Sequence, residues 1–317
     1  MKKIVVLGGG TGLSVLLRGL KQFPLDITAI VTVADDGSSS GRLREEFDIF
    51  AVGDLRNVLV SLSEVEPLIE DLLQYRFVTD SSLNNHPMGN LLLTALYNIT
   101  GNLTESLRSL SKIFNIKGTI LPFTEENPVL IAHTTDGKII EGESNITKAG
   151  KEIDYIEYKN EVKPTKEVIK AIDEADLIIF GIGSLYTSII PNLLSKEVVK
   201  SLKNSKAKKM YVCNIMSEHG ETDNYKVSDC IKKINSYVKE DLMDVVVVNN
   251  KKVPDDIKER YLGEIAGQID IDYDVLNDMN VEIIEDELLY ISEKKKVRHD
   301  PYRTALAIFN YIVKELK

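Results

Sequence analysis

Four apolar residues, Ile4 to Leu7, run directly into Gly8-Gly9-Gly10-Thr11-Gly12, and a helical pattern with apolar residues at Leu13, Leu16, Leu17 and Leu20 follows at once. A strand that passes into a helix through glycines, with a second apolar run at Ile27 to Val33, is a βαβ opening. Later apolar runs at Leu177 to Phe180, Met210 to Cys213 and Val245 to Val248 are separated by segments of helical pattern. Continuous apolar strands of this length belong to parallel sheets covered on both faces. The expected fold is therefore α/β, a Rossmann-like, doubly wound, mainly parallel sheet. A mainly helical stretch at about 55–115 and a set of short β pieces at about 118–160 read as insertions into a single domain spanning residues 1–317. The last element, Pro301 to Leu316, follows Asp300, which suits an N-cap with proline at the first helical position.

Charge excludes one class of partner. With 39 Lys and Arg against 49 Asp and Glu, the net charge is −10, whereas a general nucleic-acid binder needs clustered cations to neutralise phosphates. The basic start, Met1 to Lys3, imitates a signal peptide, but Gly8 ends the apolar run after four residues, short of an h-region. No run approaches the ~20 apolar residues of a membrane span. The chain is expected in the cytoplasm, and a homo-oligomer is the default assembly. Cys213 and Cys230 are the only cysteines; without CxxC spacing they read as packing residues rather than as a zinc site or disulfide framework.

The candidate chemistry lies in the loops after the strands. Glycines at the first turn let a backbone approach an anion closely, and the N–H groups and dipole of the following helix favour phosphate. Gly9, Gly10, Thr11, Gly12 and Leu13 form this candidate segment. It departs from the dinucleotide fingerprint, because Leu13 stands where the third glycine would be, and no P-loop lysine follows. After the second strand, Ala34-Asp35-Asp36-Gly37-Ser38-Ser39-Ser40-Gly41-Arg42 offers Asp35 and Asp36 for a ribose or a divalent cation and Ser39 for a polar contact; an Asx turn leading to a helix cap is the alternative. Gly53-Asp54-Leu55-Arg56-Asn57 and His86-Pro87-Met88-Gly89-Asn90 repeat polar groups at probable helix starts, giving Asn57 and Asn90 as candidates. Gly183 and Ser184 after the strand ending at Phe180, and Asn214 after Cys213, suit phosphate or sugar contacts. Arg298-His299-Asp300 is either a phosphate clamp or a cap for the last helix.

Taken together and in this order, Gly8 to Gly12, Thr32 to Gly37, Gly53 to Asn57, His86 to Asn90, Gly183 to Asn192, Cys213-Asn214 and His299-Asp300 resemble the YvcK branch of the CofD-like proteins, also called GlmR or gluconeogenesis factors. The resemblance runs over essentially the whole chain. It implies a CofD-like fold and binding of a UDP-sugar, UDP-N-acetylglucosamine above all. It further implies a regulatory role in carbon flow to cell-wall precursors, growth and cell shape under gluconeogenic conditions, with an amino-sugar biosynthesis enzyme as partner. The family pattern departs here at Ser38 and at Ala51-Val52, where glycine and two prolines are common. The catalytic relative, 2-phospho-L-lactate transferase, implies the alternative of a Mg²⁺-dependent phosphotransferase with Asp36 and Asp54 as metal ligands. Arg56 stands where a second acid would strengthen such a site, and an added cation weakens Mg²⁺ affinity while suiting an anionic ligand. Thr304, beside Arg303, reads as a helix-surface threonine and as a candidate for regulatory phosphorylation.

Overall fold

The computed structural model describes residues 1–64, 67–263 and 265–316, with Ser38 described in its backbone alone. Residues 65 and 66 of the expected helical stretch, and the side chain behind the Ser38 departure, therefore lie outside it.

The opening unfolds as the glycines require. Strand β1 (Lys2–Gly8) enters helix α1 (Gly10–Leu20), and β2 (Leu25–Val31) returns parallel to β1 with Ile4 opposite Ile27. Helices begin before the stretch expected at about 55–115, with α2 (Ser38–Phe47), and continue as α3 (Gly53–Leu62), α4 (Pro67–Gln74), α5 (Met88–Thr100) and α6 (Leu103–Ile113). The β pieces expected at 118–160 divide in two. β3 (Thr119–Pro122) pairs parallel with β2 and is the edge of the central sheet. β4 (Leu130–Thr134), β5 (Ile139–Glu141) and β6 (Ile153–Tyr158) form a separate antiparallel sheet, with the short helix α7 (Glu143–Ala149) between the last two.

The second half adds α8 (Lys166–Asp173), β7 (Leu177–Phe180), a π turn and a 3₁₀ turn over Leu185–Ile189 and Ile190–Leu193, α9 (Lys196–Asn204), β8 (Lys208–Val212), α10 (Val227–Val238) and β9 (Val245–Asn249). It ends with α11 (Asp255–Leu262), α12 (Tyr273–Asp278), β10 (Glu282–Asp286), the hairpin β11 (Leu289–Ile291) and β12 (Val297–His299), and α13 (Pro301–Glu315). The strands expected at 27–33 and 210–213 end at Val31 and Val212, where Thr32 and Cys213 continue to the loops.

The seven-stranded sheet runs β3-β2-β1-β7-β8-β9-β10, parallel throughout. Strand alternation splits its side chains between two cores. Ile4, Val6, Leu177, Ile179 and Met210 meet α1, α3 and α13 on one face. Val5, Leu7, Ile178, Phe180 and Tyr211 meet α9, α10 and the small sheet on the other. Asp300 caps α13 as expected, accepting from the N–H groups of Tyr302 and Arg303. Thr304 is not a surface residue: it is 0% exposed, with its hydroxyl unpartnered. Cys213 and Cys230 are both buried thiols. Among the described residues, no helix is long and apolar enough to cross a membrane.

Candidate functional site

The strand order reverses between β1 and β7, and in an open α/β sheet ligands bind outside the carboxyl ends of the strands at that point. Both loops leaving this position are glycine turns. Gly10 takes φ +68°, a left-handed conformation that glycine adopts without strain. A Cβ on Gly12 would collide with the Ile182 carbonyl, so this residue permits the first helix to close against the turn after β7. The Gly183 peptide is held in turn by Asn214, whose amide donates to the Gly183 carbonyl at 2.8 Å and accepts from its N–H at 3.3 Å.

A cleft of about 490 Å³ opens between these turns and the loops after β8 and α11. Gly10, Thr11, Gly12, Gly183, Ser184, Asn214 and Arg298 line it. Asn57 lies in an adjoining recess of about 280 Å³, which shares Thr11, Arg298 and His299 with the cleft. The other sequence candidates stand elsewhere. Gly9 is buried behind the turn, against Thr32 and Asp54. Leu13 packs in the core with no exposure. Asp35 closes an Asx turn on the Gly37 N–H at 2.8 Å, and Asp36 accepts from the Ser144 N–H at 2.8 Å, at the start of α7. Ser39 lies 2.8 Å from His86 Nδ1 and accepts from the Asn90 amide at 3.0 Å, a buried network that joins α2 to α5 behind the cleft.

Glu218 and Glu221 line the cleft beside Arg260, Lys296 and Arg298, while Asp54 and Glu143 lie outside its lining. Asp54 accepts from the Gly10 N–H at 2.7 Å; burial, then the nearby Asp35 charge, push it up to about 7, against that hydrogen bond and Arg56. Glu221 accepts from the Ser184 hydroxyl and, at 3.1 Å, from the Tyr186 N–H. Burial and then Glu218 raise it to about 7. Glu143 is raised to about 7 by burial and by Asp35, Asp54, Asp36 and Glu221 in turn. Burial of its carboxyl also raises Glu218, with Arg298 opposing the shift and Glu143 adding to it. His299 is 4% exposed, and neither ring nitrogen has a partner in hydrogen-bonding geometry. Burial outweighs the help of the Cys213 backbone and lowers it to about 4, so the ring is neutral.

Asp36 and Asp54, the pair that the transferase resemblance implies for a metal, are engaged separately by the Ser144 and Gly10 N–H groups. Each is turned to a different backbone N–H, and among the described residues no three His, Cys, Asp or Glu side chains converge as a ligand set.

Glu218, Glu221 and Tyr261 line the cleft outside the sequence candidates, with Glu143 near it, and His299 lines it as part of the Arg298-His299-Asp300 candidate. Glu218 and Glu221 sit in the polar loop that follows Asn214, which is a usable signal. Glu143 belongs to the β insertion and carries none, since α7 nears the cleft, which its Thr147 lines, only in the folded chain.

Comparison with known proteins places this arrangement. The family of CofD, described as 2-phospho-L-lactate transferase CofD, matches residues 4–289. The protein named gluconeogenesis factor in Bacillus subtilis is 46% identical over 304 residues, covering 96% of each chain. That of Halalkalibacterium halodurans is 45% identical, over 97% of this chain and 95% of its own. A crystal structure of a Bacillus halodurans protein superposes with a TM-score of 0.94 at 45% identity, over 97% of this chain and 99% of that one. The chain belongs to the CofD family, within its YvcK branch of gluconeogenesis factors.

Proposed function

We propose that the cleft binds a nucleotide sugar, UDP-N-acetylglucosamine, and that the protein is a regulatory factor directing carbon to cell-wall precursors, growth and cell shape under gluconeogenic conditions. The observation that carries this reading is the start of α1. Apart from the Gly10 N–H, which Asp54 takes, its first-turn N–H groups lie at a cleft that Arg298 also lines, a donor set for a diphosphate. The hydroxyl, amide and carboxyl groups beyond it suit a sugar. The name shared by the relatives supports the gluconeogenic role. On this reading the protein works in the cytoplasm, as a homo-oligomer, and ligand binding alters a surface that docks an amino-sugar biosynthesis enzyme.

The phosphotransferase alternative is supported by the description of the matching family, but its two acids face different partners. Calorimetric titration with UDP-N-acetylglucosamine, UDP-glucose, GTP and NAD tests the proposal. The UDP-sugars bind and the others do not; absence of heat and of a thermal shift with every UDP-sugar removes it.

A further inference from the structure

The recess beside the cleft differs from it in size and in chemistry, at about 280 Å³ against about 490 Å³. The cleft wall carries charge of both signs, with Glu218 and Glu221 beside Arg260 and Lys296. Among the described residues no carboxyl group lines the recess, and Val15, Val60, Pro301 and Tyr290 give it apolar walls. Of its two cations, Arg18 is taken by Glu70 at 2.6 Å, and Arg298 stands at the border with the cleft. Its other polar groups are neutral, and several lack partners. The Ser14 hydroxyl and both ring nitrogens of His299 are buried without a hydrogen bond, on a histidine only 4% exposed. Asn57 gives its carboxamide oxygen to Arg56 at 2.6 Å and, among the described residues, keeps its side-chain N–H groups free. Thr11 and Arg298 line both cavities, so a diphosphate held there has one arm facing each.

A nucleobase is flat and uncharged, with apolar faces and a few hydrogen-bonding groups on its edge, whereas a sugar presents hydroxyls on every side. Apolar walls with a few placed polar groups suit the first, and a larger cavity lined by charged side chains suits the second. Uracil brings two carbonyls and one N–H, which the Asn57 N–H groups, the Ser14 hydroxyl and the His299 ring can meet. We propose that the recess is the base subsite and the cleft the sugar subsite of one nucleotide-sugar ligand, with Ser14, Asn57 and His299 as the residues that hold the base. The inference rests on the nucleotide-sugar reading above and adds which arm of the ligand each cavity takes.

UDP lacks the sugar, so comparing it with UDP-N-acetylglucosamine separates the two arms. Ser14→Ala removes a hydroxyl that has no partner in the free protein, so thermal unfolding is unimpaired while a bound base loses a hydrogen bond. In calorimetric titrations of the full chain, Ser14→Ala and Asn57→Ala each weaken UDP and UDP-N-acetylglucosamine by the same factor, about fivefold. Glu218→Gln, in the cleft, weakens UDP-N-acetylglucosamine by about threefold or more relative to UDP. Recess variants that weaken only the sugar-bearing ligand, with Glu218→Gln weakening both equally, overturn the assignment by reversing it. Recess variants that bind both ligands as tightly as the wild type overturn it outright. Either result leaves the nucleotide-sugar reading standing, whereas failure of the wild type to bind both UDP and UDP-N-acetylglucosamine brings that reading down as well.

Discussion

The carboxyl group of Asp54, in the first turn of α3, accepts a hydrogen bond from the N–H of Gly10, in the first turn of α1, at 2.7 Å. One acid thus sits at the positive ends of two helices, a favourable place for it. It also occupies a donor that an incoming phosphate would use. Asp54→Asn keeps an oxygen acceptor for Gly10 while removing the charge, so affinity for UDP-N-acetylglucosamine at pH 8 rises by about fivefold, ~1 kcal/mol. Titration of the two proteins side by side checks this. A loss of binding would mean that the charge itself is needed, as a cation-assisted transferase demands.

The two glycines of the turn are constrained differently. Gly10 needs a left-handed backbone, but the nearest atom to an added Cβ is the Ser188 hydroxyl at 3.8 Å. Gly10→Ala therefore costs about 1 kcal/mol of stability. Gly12→Ala drives a methyl group into the Ile182 backbone and separates α1 from the turn after β7, with a cost of about 2 kcal/mol or more and a larger loss of ligand affinity. Thermal unfolding and titration of both variants give the order; equal effects would count against the close approach.

Ser184 donates to Glu221 and also accepts from the Thr187 N–H at 2.9 Å, capping the π turn. Ser184→Ala removes the cap and leaves a buried carboxyl with the Tyr186 N–H alone, costing about 2 kcal/mol. In a Glu221→Gln background the same change costs about 1 kcal/mol less, because no buried charge is left short of a donor. Denaturant unfolding of the four proteins measures that coupling.

Stability also carries a pH signature. Asp54, Glu143 and Glu221 are held near 7, where an unfolded chain ionises them near 4. Between these values the native state binds more protons, so their contribution is complete below pH 4 and is lost as pH rises through 7. His299, lowered from 6.5 to about 4, acts with the opposite sign, losing stability as pH falls through that window. Three acids outweigh one histidine where the windows overlap. Glu221→Gln therefore flattens the decline of Tm between pH 5 and 8, and an unchanged slope would show that Glu221 ionises normally.

The sheet was largely legible because β1, β7, β8 and β9 are buried on both faces, and burial on both faces writes an unbroken apolar run. β3 was not, since Thr119-Ile120-Leu121-Pro122 at the sheet edge looks like the short strands that follow it. The glycine turns were legible for the same reason that they are needed, namely backbone approach. Ser39 and Asn90 show where such reading stops: serine and asparagine before a helix look alike whether they meet a ligand or, as here, each other beside His86. Glu143 could not be reached at all, because its neighbours Asp54 and Glu221 are far away in the chain.

β1 lies between β2, its near neighbour in sequence, and β7, with Ile4 paired to Leu177. During synthesis the first of these partners arrives within two dozen residues, and the second only after the helical stretch and the small sheet have been made. Throughout that interval one edge of an apolar, proline-free strand stays open, the kind of edge that recruits foreign strands. Docking of Leu177 to Phe180 ends that exposure and, in the same event, brings the two glycine turns together. Pairing of β7 with β1 thus both covers that edge and sets two of the loops that line the cleft side by side, while its remaining walls, at Asn214 to Glu221, Arg260 to Ala266 and Lys296 to His299, come from later in the chain.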